Sequence, residues 1–526
     1  MADGLANTGL LWEPLPKSPE QRLEETAIAP IVTFGRSVWL AALVLAAIVV
    51  WGAFAWLTQT RDGLQVTGLN CPVFWGIYIT NFVFFVGISH AGTLISAILR
   101  ITGADWRRPI TRMAEAITVF ALVCGPINII FDLGRPDRML NVFRHPHFAS
   151  PILWDVCCIS VYLIGSLTYL YLPLVPDLAL LRERAPRLKW LYRALSFWWT
   201  GSERQWHFLE RAIAAMAIII IPIAVSVHTV VSYVFAMTIQ PMWHSAIFGP
   251  YFVVGAIYSG IAALIVAMAI LRWLCRLEDY LQPSHFIKLG WLLLTMCLLW
   301  FYFTFGEFLT TFYGQFPDEM RVFEAKMYGA FALPFWAMVV CMVGAFFVIT
   351  LPLVPVRLQR PQSVAAWALR PVAAGLIAGL VFYLGSFGRP HHIGAAVMEP
   401  TWSSLLYQAT IVLALGYMVW SFMPLLRDRA IGRMVIASIL VNIGMWLERY
   451  TIVVPTLSNP RLPWGVESYS PRWVEWSIMA GLFALFSLLF LLFAKLFPLL
   501  PIWEMKQNLP APQQVPEPSA SGHGGG

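Results

Sequence analysis

Apolar runs of about 20 residues recur along the whole of this 526-residue chain; AALVLAAIVVWGAFAWL at 41–57 belongs to the first of them. A bilayer core is roughly 30 Å thick, and a helix of about 20 residues crosses it. In hydrocarbon every backbone N–H and C=O must be satisfied internally, which leaves helices or closed barrels. Barrel strands alternate inward and outward over about 10 residues, whereas these runs are continuous. The chain is 59% hydrophobic and 12% charged, with mean hydropathy +0.69; a soluble protein carries about 25% charged residues. The expected fold is therefore all-α, a polytopic transmembrane helical protein of about 10–12 spans. The net charge of +7 is accounted for by loop arginines and calls for no nucleic acid.

Spans are expected near 36–58, 72–99, 113–133, 151–175, 210–239, 249–274, 286–313 and 327–352, then near 371–388, 404–426, 431–454 and 474–500. The first of the pair at 371–388 and 404–426 is short enough to be re-entrant. Residues 1–35 form a polar N-terminal segment without a cleavable signal. The chain then divides into an eight-span core (36–352), an extra helix pair or insertion (353–429), a C-terminal helix pair (430–500) and a disordered tail (501–526). Loop lysines and arginines set orientation. Arg100, Arg107, Arg108, Arg112, Arg182, Arg184, Arg272, Arg276, Arg427 and Arg429 fall on one side. That places both termini in the cytoplasm and the chain in the inner membrane.

The outer loop after the third span breaks this bias. FDLGRPDRMLNVFRHPHFASPILWD (131–155) places Asp132, Arg135, Asp137, Arg138, Arg144, His145, His147 and Asp155 between two apolar segments. Ionisable groups in or beside hydrocarbon are costly unless paired or facing a water-filled cavity. Arg135, Arg138 and Arg144 on the outer side therefore suggest a specific partner. His145 and His147 suit a surface better than proton transfer.

Further polar groups interrupt the spans: His90, His228, Glu307, and Glu448 beside Arg449. Each is compatible with a helix–helix hydrogen bond or ion pair, or with a transporter, a proton relay or a quinone site. Asp155 and Glu307 have no basic neighbour within one turn and are the least easily explained as structural. A quinol-oxidising site needs a pocket for an apolar ring, polar groups for two oxygens, and acceptors for two protons; carboxylates and histidines serve in that role. Asp132 and Asp155 flank the same loop and are placed to converge on one pocket. The seven cysteines are scattered with no CxxC pair and no CxxCH, so neither an iron–sulfur cluster nor a covalently attached haem is expected in this chain. Bis-His haem ligation would need His90 and His228 at matching depth. No metal site is expected. Trp75, Trp154, Trp243, Tyr251, Trp300 and Trp464 fit an interfacial aromatic belt.

HAGTLISAILR (90–100), DLGRPDR (132–138), SPILWD (150–155) and SVHTVVS (226–232) resemble the membrane subunits of the polysulfide reductase, or NrfD-like, family. WHSAIFGPYFVVGAIYSG (243–260), FTFGEFLTTFYG (303–314) and NIGMWLERYTIVVP (442–455) resemble, within it, the quinol-oxidising membrane subunit of alternative complex III. The family often has His at the position of Asp132, and Trp-Asp where this chain has Tyr233-Val234. The resemblance implies two four-helix bundles plus extra helices, with no redox cofactor in the chain. It implies binding of menaquinol or ubiquinol near the outer face and electron transfer to an iron–sulfur (molybdopterin-oxidoreductase-like) subunit, then to cytochrome c subunits. A second NrfD-like membrane subunit would also belong to the complex. By motif, Asp132, Asp155, His228 and Glu307 become candidates for catalysis or proton transfer; Arg135, His90 and Arg449 become candidates for holding the quinol. Two other readings stay open: a quinone-reducing anchor of a molybdopterin oxidoreductase, and a proton-coupled transporter.

Overall fold

The computed structural model describes residues 18–33, 35–353, 429–461 and 469–507. In chain order its helices are α1 (Pro19–Val32), α2 (Arg36–Asp62), α3 (Ile77–Ile101), α4 (Arg108–Asp132), α5 (Asn141–Arg144), α6 (Pro151–Tyr171), α7 (Val175–Arg184) and α8 (Lys189–Leu195). They continue as α9 (Glu203–Ala236), α10 (Phe248–Leu274), α11 (Pro283–Gly314), α12 (Pro317–Met327), α13 (Ala332–Thr350), α14 (Ala430–Ser458), α15 (Trp473–Leu496) and α16 (Ile502–Lys506). Among the described residues there is no strand, and ten helical segments are long and apolar enough to cross a membrane. The protein is a multi-pass helical membrane protein. The expected spans at 371–388 and 404–426 lie outside the described residues, as does Trp464.

Proline at the first or second position starts α4, α6, α11 and α12, where its missing N–H has no helical partner to lose. The spans run alternately up and down. One end of the molecule, the His145 face, gathers the loops 63–76, 133–150 and 237–247 and the helix α12. The other, the α1 face, gathers α1, α7, α8 and α16. The expected span at 327–352 begins later, at Ala332, because Pro317–Met327 is a separate helix. Its charged side chains Asp318, Glu319 and Arg321 keep it out of the apolar layer.

Packing cuts across chain order. Helices α3, α4, α6 and α9 form one four-helix bundle, and α10, α11, α13 and α14 form a second, joined mainly where α3 meets α10. So the helix that completes the second bundle comes from beyond residue 429, and α2 lies outside both bundles, paired with α15 against α4. That pairing depends on small residues: a Cβ on Gly52 would lie 2.9 Å from the Cα of Gly481, a close backbone approach of the kind that holds helices together in lipid. The apolar window of α3 is 87% buried and that of α2 only 17%. α3 is thus a central helix and α2 a lipid-facing one.

At the α1 face the chain after α15 crosses the first bundle as a strap. Asp177 accepts the backbone N–H groups of Ile502 (3.0 Å) and Trp503 (3.1 Å) and pairs with Arg112 at 2.7 Å. Arg112 also donates to the carbonyls of Pro498 and Leu500, both at 3.0 Å. Glu504, buried, pairs with Arg100 and with Arg107. Residues 501–507, expected to open a disordered tail, are instead fixed by these ion pairs; residues 508–526 lie outside the described residues.

Candidate functional site

At the His145 face of the first bundle, α4 ends on Asp132 and the chain turns at Gly134, whose φ of 62° is the left-handed conformation common after a helix C-terminus. The Oδ1 atom of Asp132 is buried with no hydrogen-bond partner among the described residues. Beside it Tyr78 donates to Gln59 Oε1 (2.6 Å), and Gln59 donates to the Phe131 carbonyl (2.6 Å). Glu475, fully buried in the first turn of α15, accepts the N–H groups of Gly68 (2.6 Å) and Arg472 (2.9 Å) and the Tyr469 hydroxyl. Asp155 sits in the second turn of α6, 6% exposed, and its Oδ1 also has no partner. Asp132 and Asp155 therefore lie at the same end of packed helices, with no cation paired to either among the described residues. Arg135, Arg138, Arg144, His145 and His147 are exposed. Arg135 is occupied by a two-bond pair with Asp137 at 3.0 Å for each bond.

Deeper in the same bundle the two span histidines meet. His90 and His228 have ring centroids 4.5 Å apart, and Tyr162 lies 4.9 Å from His90 on another side. Each ring nitrogen of His90 lies 2.7 Å from a backbone carbonyl, Nδ1 from Val86 O and Nε2 from Ala224 O, and a neutral ring donates to one of the two. His228 is fully buried and, among the described residues, neither of its nitrogens has a hydrogen bond of good geometry. Its ring faces Phe252 of α10 at 5.9 Å, and the guanidinium of Arg449, from the second bundle, lies 4.6 Å from the centroid of that same ring. Phe252 thus bridges the bundles, with a histidine and a buried arginine in contact with one ring. Gly255 makes room: a Cβ there would lie 2.6 Å from Arg449 Nη2.

Arg449 pairs with its own neighbour Glu448 (Nη1 to Oε2, 3.2 Å), and Trp300 donates to the other carboxylate oxygen. A small cavity of about 30 Å³ follows, lined in part by Trp243, Tyr251, Glu307, Lys326, Glu448 and Thr451. That is room for on the order of one or two waters. Lys326 on α12 is 6% exposed, with its ammonium 6.0 Å from the Phe308 ring centroid. Burial pulls its pKa down to about 8, and the nearby Glu307 opposes that shift. Glu307 Oε2 has no hydrogen-bond partner among the described residues. At the surface, His244 meets Glu319 at 2.9 Å.

The structure thus brings His90, His228 and Arg449 together, sets Glu307 next to the same line, and keeps Arg135 at the surface. Lys326, Trp300, Tyr251 and Glu475 are additions. Lys326 had a signal in the sequence: it shares the buried face of α12 with Val322 and Phe323, so a charge falls on an apolar stripe. Glu475 had none.

The sequence profile of NrfD, polysulphide reductase, matches residues 65–369, more than half of the chain. The chain belongs to the NrfD family. This NrfD-family chain is 30% identical over 248 residues to a Halobacterium salinarum protein provisionally named as a membrane subunit of dimethyl sulfoxide reductase, covering 46% of this chain and 54% of that protein. It is 20% identical over 361 residues to a selenate reductase subunit of Mesobacillus selenatarsenatis, covering 67% and 83%. It is 23% identical over 227 residues to the Hdr-like menaquinol oxidoreductase integral membrane subunit of Archaeoglobus fulgidus, covering 42% and 48%. The match therefore spans about half the length of two of these three relatives.

Proposed function

We propose that this NrfD-family protein is the quinone-reactive membrane subunit of an oxidoreductase complex, and that it oxidises quinol at the His145 face of its first bundle. The observation that carries the reading is the pair of buried, unpartnered carboxylate oxygens on Asp132 and Asp155. Buried acceptors are normally satisfied, so two left open at one bundle end suit hydroxyl donors that the described residues do not supply. The names of the relatives, two from reductases and one from a menaquinol oxidoreductase, support the same class.

In this reading a menaquinol or ubiquinol ring enters from the bilayer beside α4 and α6. Asp155 and Asp132 accept its two hydroxyl protons as its two electrons leave to an iron–sulfur subunit of molybdopterin-oxidoreductase type, and onward to cytochrome c subunits. The assembly is completed by a second NrfD-like membrane subunit, as in alternative complex III. Loop charge supports an orientation with the His145 face on the outer side of an inner membrane and both termini in the cytoplasm. His90, His228 and Arg449 form a polar line between the bundles, and Glu307 with Lys326 ends it at the water-sized cavity. That line suits proton movement better than ring binding, because the cavity beside it is too small for a quinone.

Asp155→Asn should lower quinol-dependent reduction of cytochrome c or a dye by at least about 100-fold, the usual cost of losing a proton-transfer group, while the complex still assembles. Full turnover in an assembled Asp155→Asn complex removes Asp155 from the chemistry. The runner-up reading, quinone reduction as the anchor of a molybdopterin oxidoreductase, is favoured by the two reductase relatives. Driving the purified complex with quinol and then with a low-potential donor decides the direction. A proton-coupled transporter would instead show solute uptake with no redox partner co-purifying.

A further inference from the structure

A groove at the α1 face belongs to none of the polar groups above. It is open, about 780 Å³, and is lined by Lys189, Trp190 and Arg193 of α8 together with Phe197 and Trp198 just beyond it. α8 buries one side, where Tyr192 is fully enclosed and donates to the Leu496 carbonyl at 3.0 Å. Its other side leaves Trp190 72% exposed, and Phe197 and Trp198 reach 70% and 86%. Phe197 and Trp198 also hold φ values of 41° and 53°, a left-handed conformation that bulky residues rarely adopt. Tyr171, at the end of α6, donates to the Leu195 carbonyl and lies 6.2 Å from the Phe197 ring, which sets the groove at the level of the helix ends.

We propose that this groove binds the headgroup of an anionic phospholipid. Exposed indole and phenyl rings at helix-end level suit the boundary between headgroup and acyl chain. Lys189 and Arg193 are exposed and make no ion pair among the described residues, and no acidic side chain is among the groove's lining residues. Two unpaired cations beside aromatic rings match a phosphate with glycerol and acyl chains attached; basic recesses at this level of a membrane protein take such headgroups. An acidic segment of a partner protein would satisfy the charges. It would not account for the apolar surface next to the groove: Ile164 and Leu167 on α6 and Phe208 on α9 are 66%, 53% and 75% exposed, a path for acyl chains into the lipid.

The test is native mass spectrometry of the full-length protein, together with its co-purifying partners, released from nanodiscs of phosphatidylcholine doped with phosphatidylglycerol. Phosphatidylglycerol should be retained in preference. Lys189→Gln with Arg193→Gln should lower that retention about thirtyfold, the loss expected for two cations near an anionic surface. Arg36→Gln with Arg276→Gln, an exposed pair outside the groove's lining, should leave it unchanged, and Trp198→Ala should weaken it without altering charge. Equal retention of phosphatidylcholine overturns the proposal, as does an equal loss in both double variants, which would mean diffuse attraction. So does loss of a co-purifying partner with phosphatidylglycerol retained, which would make the groove a protein interface. Should the Lys189 and Arg193 double variant fail to accumulate, Trp198→Ala alone decides.

Discussion

Lys326 shows how one buried side chain can make a membrane protein pH-sensitive. Burial holds its pKa near 8 against an ordinary value of 10.5. Between those values the unfolded chain carries the proton and the folded chain does not. Stability therefore rises with pH across that window, and below about pH 8 the cost of the buried charge is present in full. Lys326→Met should flatten this dependence, read as thermal unfolding in detergent at roughly pH 7 and pH 10; an unchanged slope would assign it to other groups. A second residue-scale prediction concerns Arg449. Gly255→Ala places a methyl 2.6 Å from its guanidinium and 2.8 Å from Met445 Cε, so the guanidinium must leave the Phe252 ring. Turnover should fall by at least about tenfold, since small displacements of positioned groups cost that much or more, while the variant still inserts. Normal turnover would mean that Arg449 only braces the bundle interface. Asp132, Asp155, His90, His228, Glu307 and Arg449 were all legible as polar atoms interrupting apolar runs, because hydrocarbon makes such atoms expensive. That two of them, His90 and His228, would stand ring to ring was not, because it depends on the rotation of α3 against α9.

Among the elements, the existence of the spans was readable and their company was not. Hydropathy reports a helix's need for lipid, and lipid solvates a leucine as well as a neighbouring helix does. What selects partners is small residues and hydrogen bonds, which leave faint marks in composition. α14 is marked by the charges that interrupt it: Arg433, Glu448 and Arg449 are buried along it, and those polar atoms give it a reason to sit inside the second bundle. α12 fell between the expected spans at 286–313 and 327–352, because its apolar face, Val322 and Phe323, is too short to be read as a span. The α2–α15 pair offers the clearest element-scale test. Gly481→Leu cannot be accommodated against Gly52 and should part the two helices while leaving both bundles intact. Cysteines placed at Ala55 and Val474, which pack in one buried cluster where the two helices meet, should crosslink on oxidation, and adding Gly481→Leu should abolish that crosslink. Persistence of the crosslink would show that the pair is held by other contacts.

For the molecule as a whole, the strap at the α1 face ties the two ends of the described chain to the first bundle. Arg112 and Asp177 are both almost fully enclosed. Removing one partner of such a pair strands the other charge, at a cost of about 3–5 kcal/mol. Asp177→Ala should therefore lower the unfolding temperature clearly and expose 497–507 to protease. Arg112→Leu with Asp177→Leu together should recover part of the loss; a double variant worse than the single would indicate that the carbonyl contacts of Arg112 matter more than its charge. The pairing of α2 with α15 has a further consequence, for biogenesis. About 400 residues separate the two helices, which is roughly 20–80 s of chain synthesis at the usual pace. During that interval α2 is already made and its glycine face has no counterpart. The first of the described spans to be made is thus among the last of them to find its seat, and a nascent chain stalled before Trp473 would leave α2 open to chaperones or quality-control proteases that patrol orphan helices.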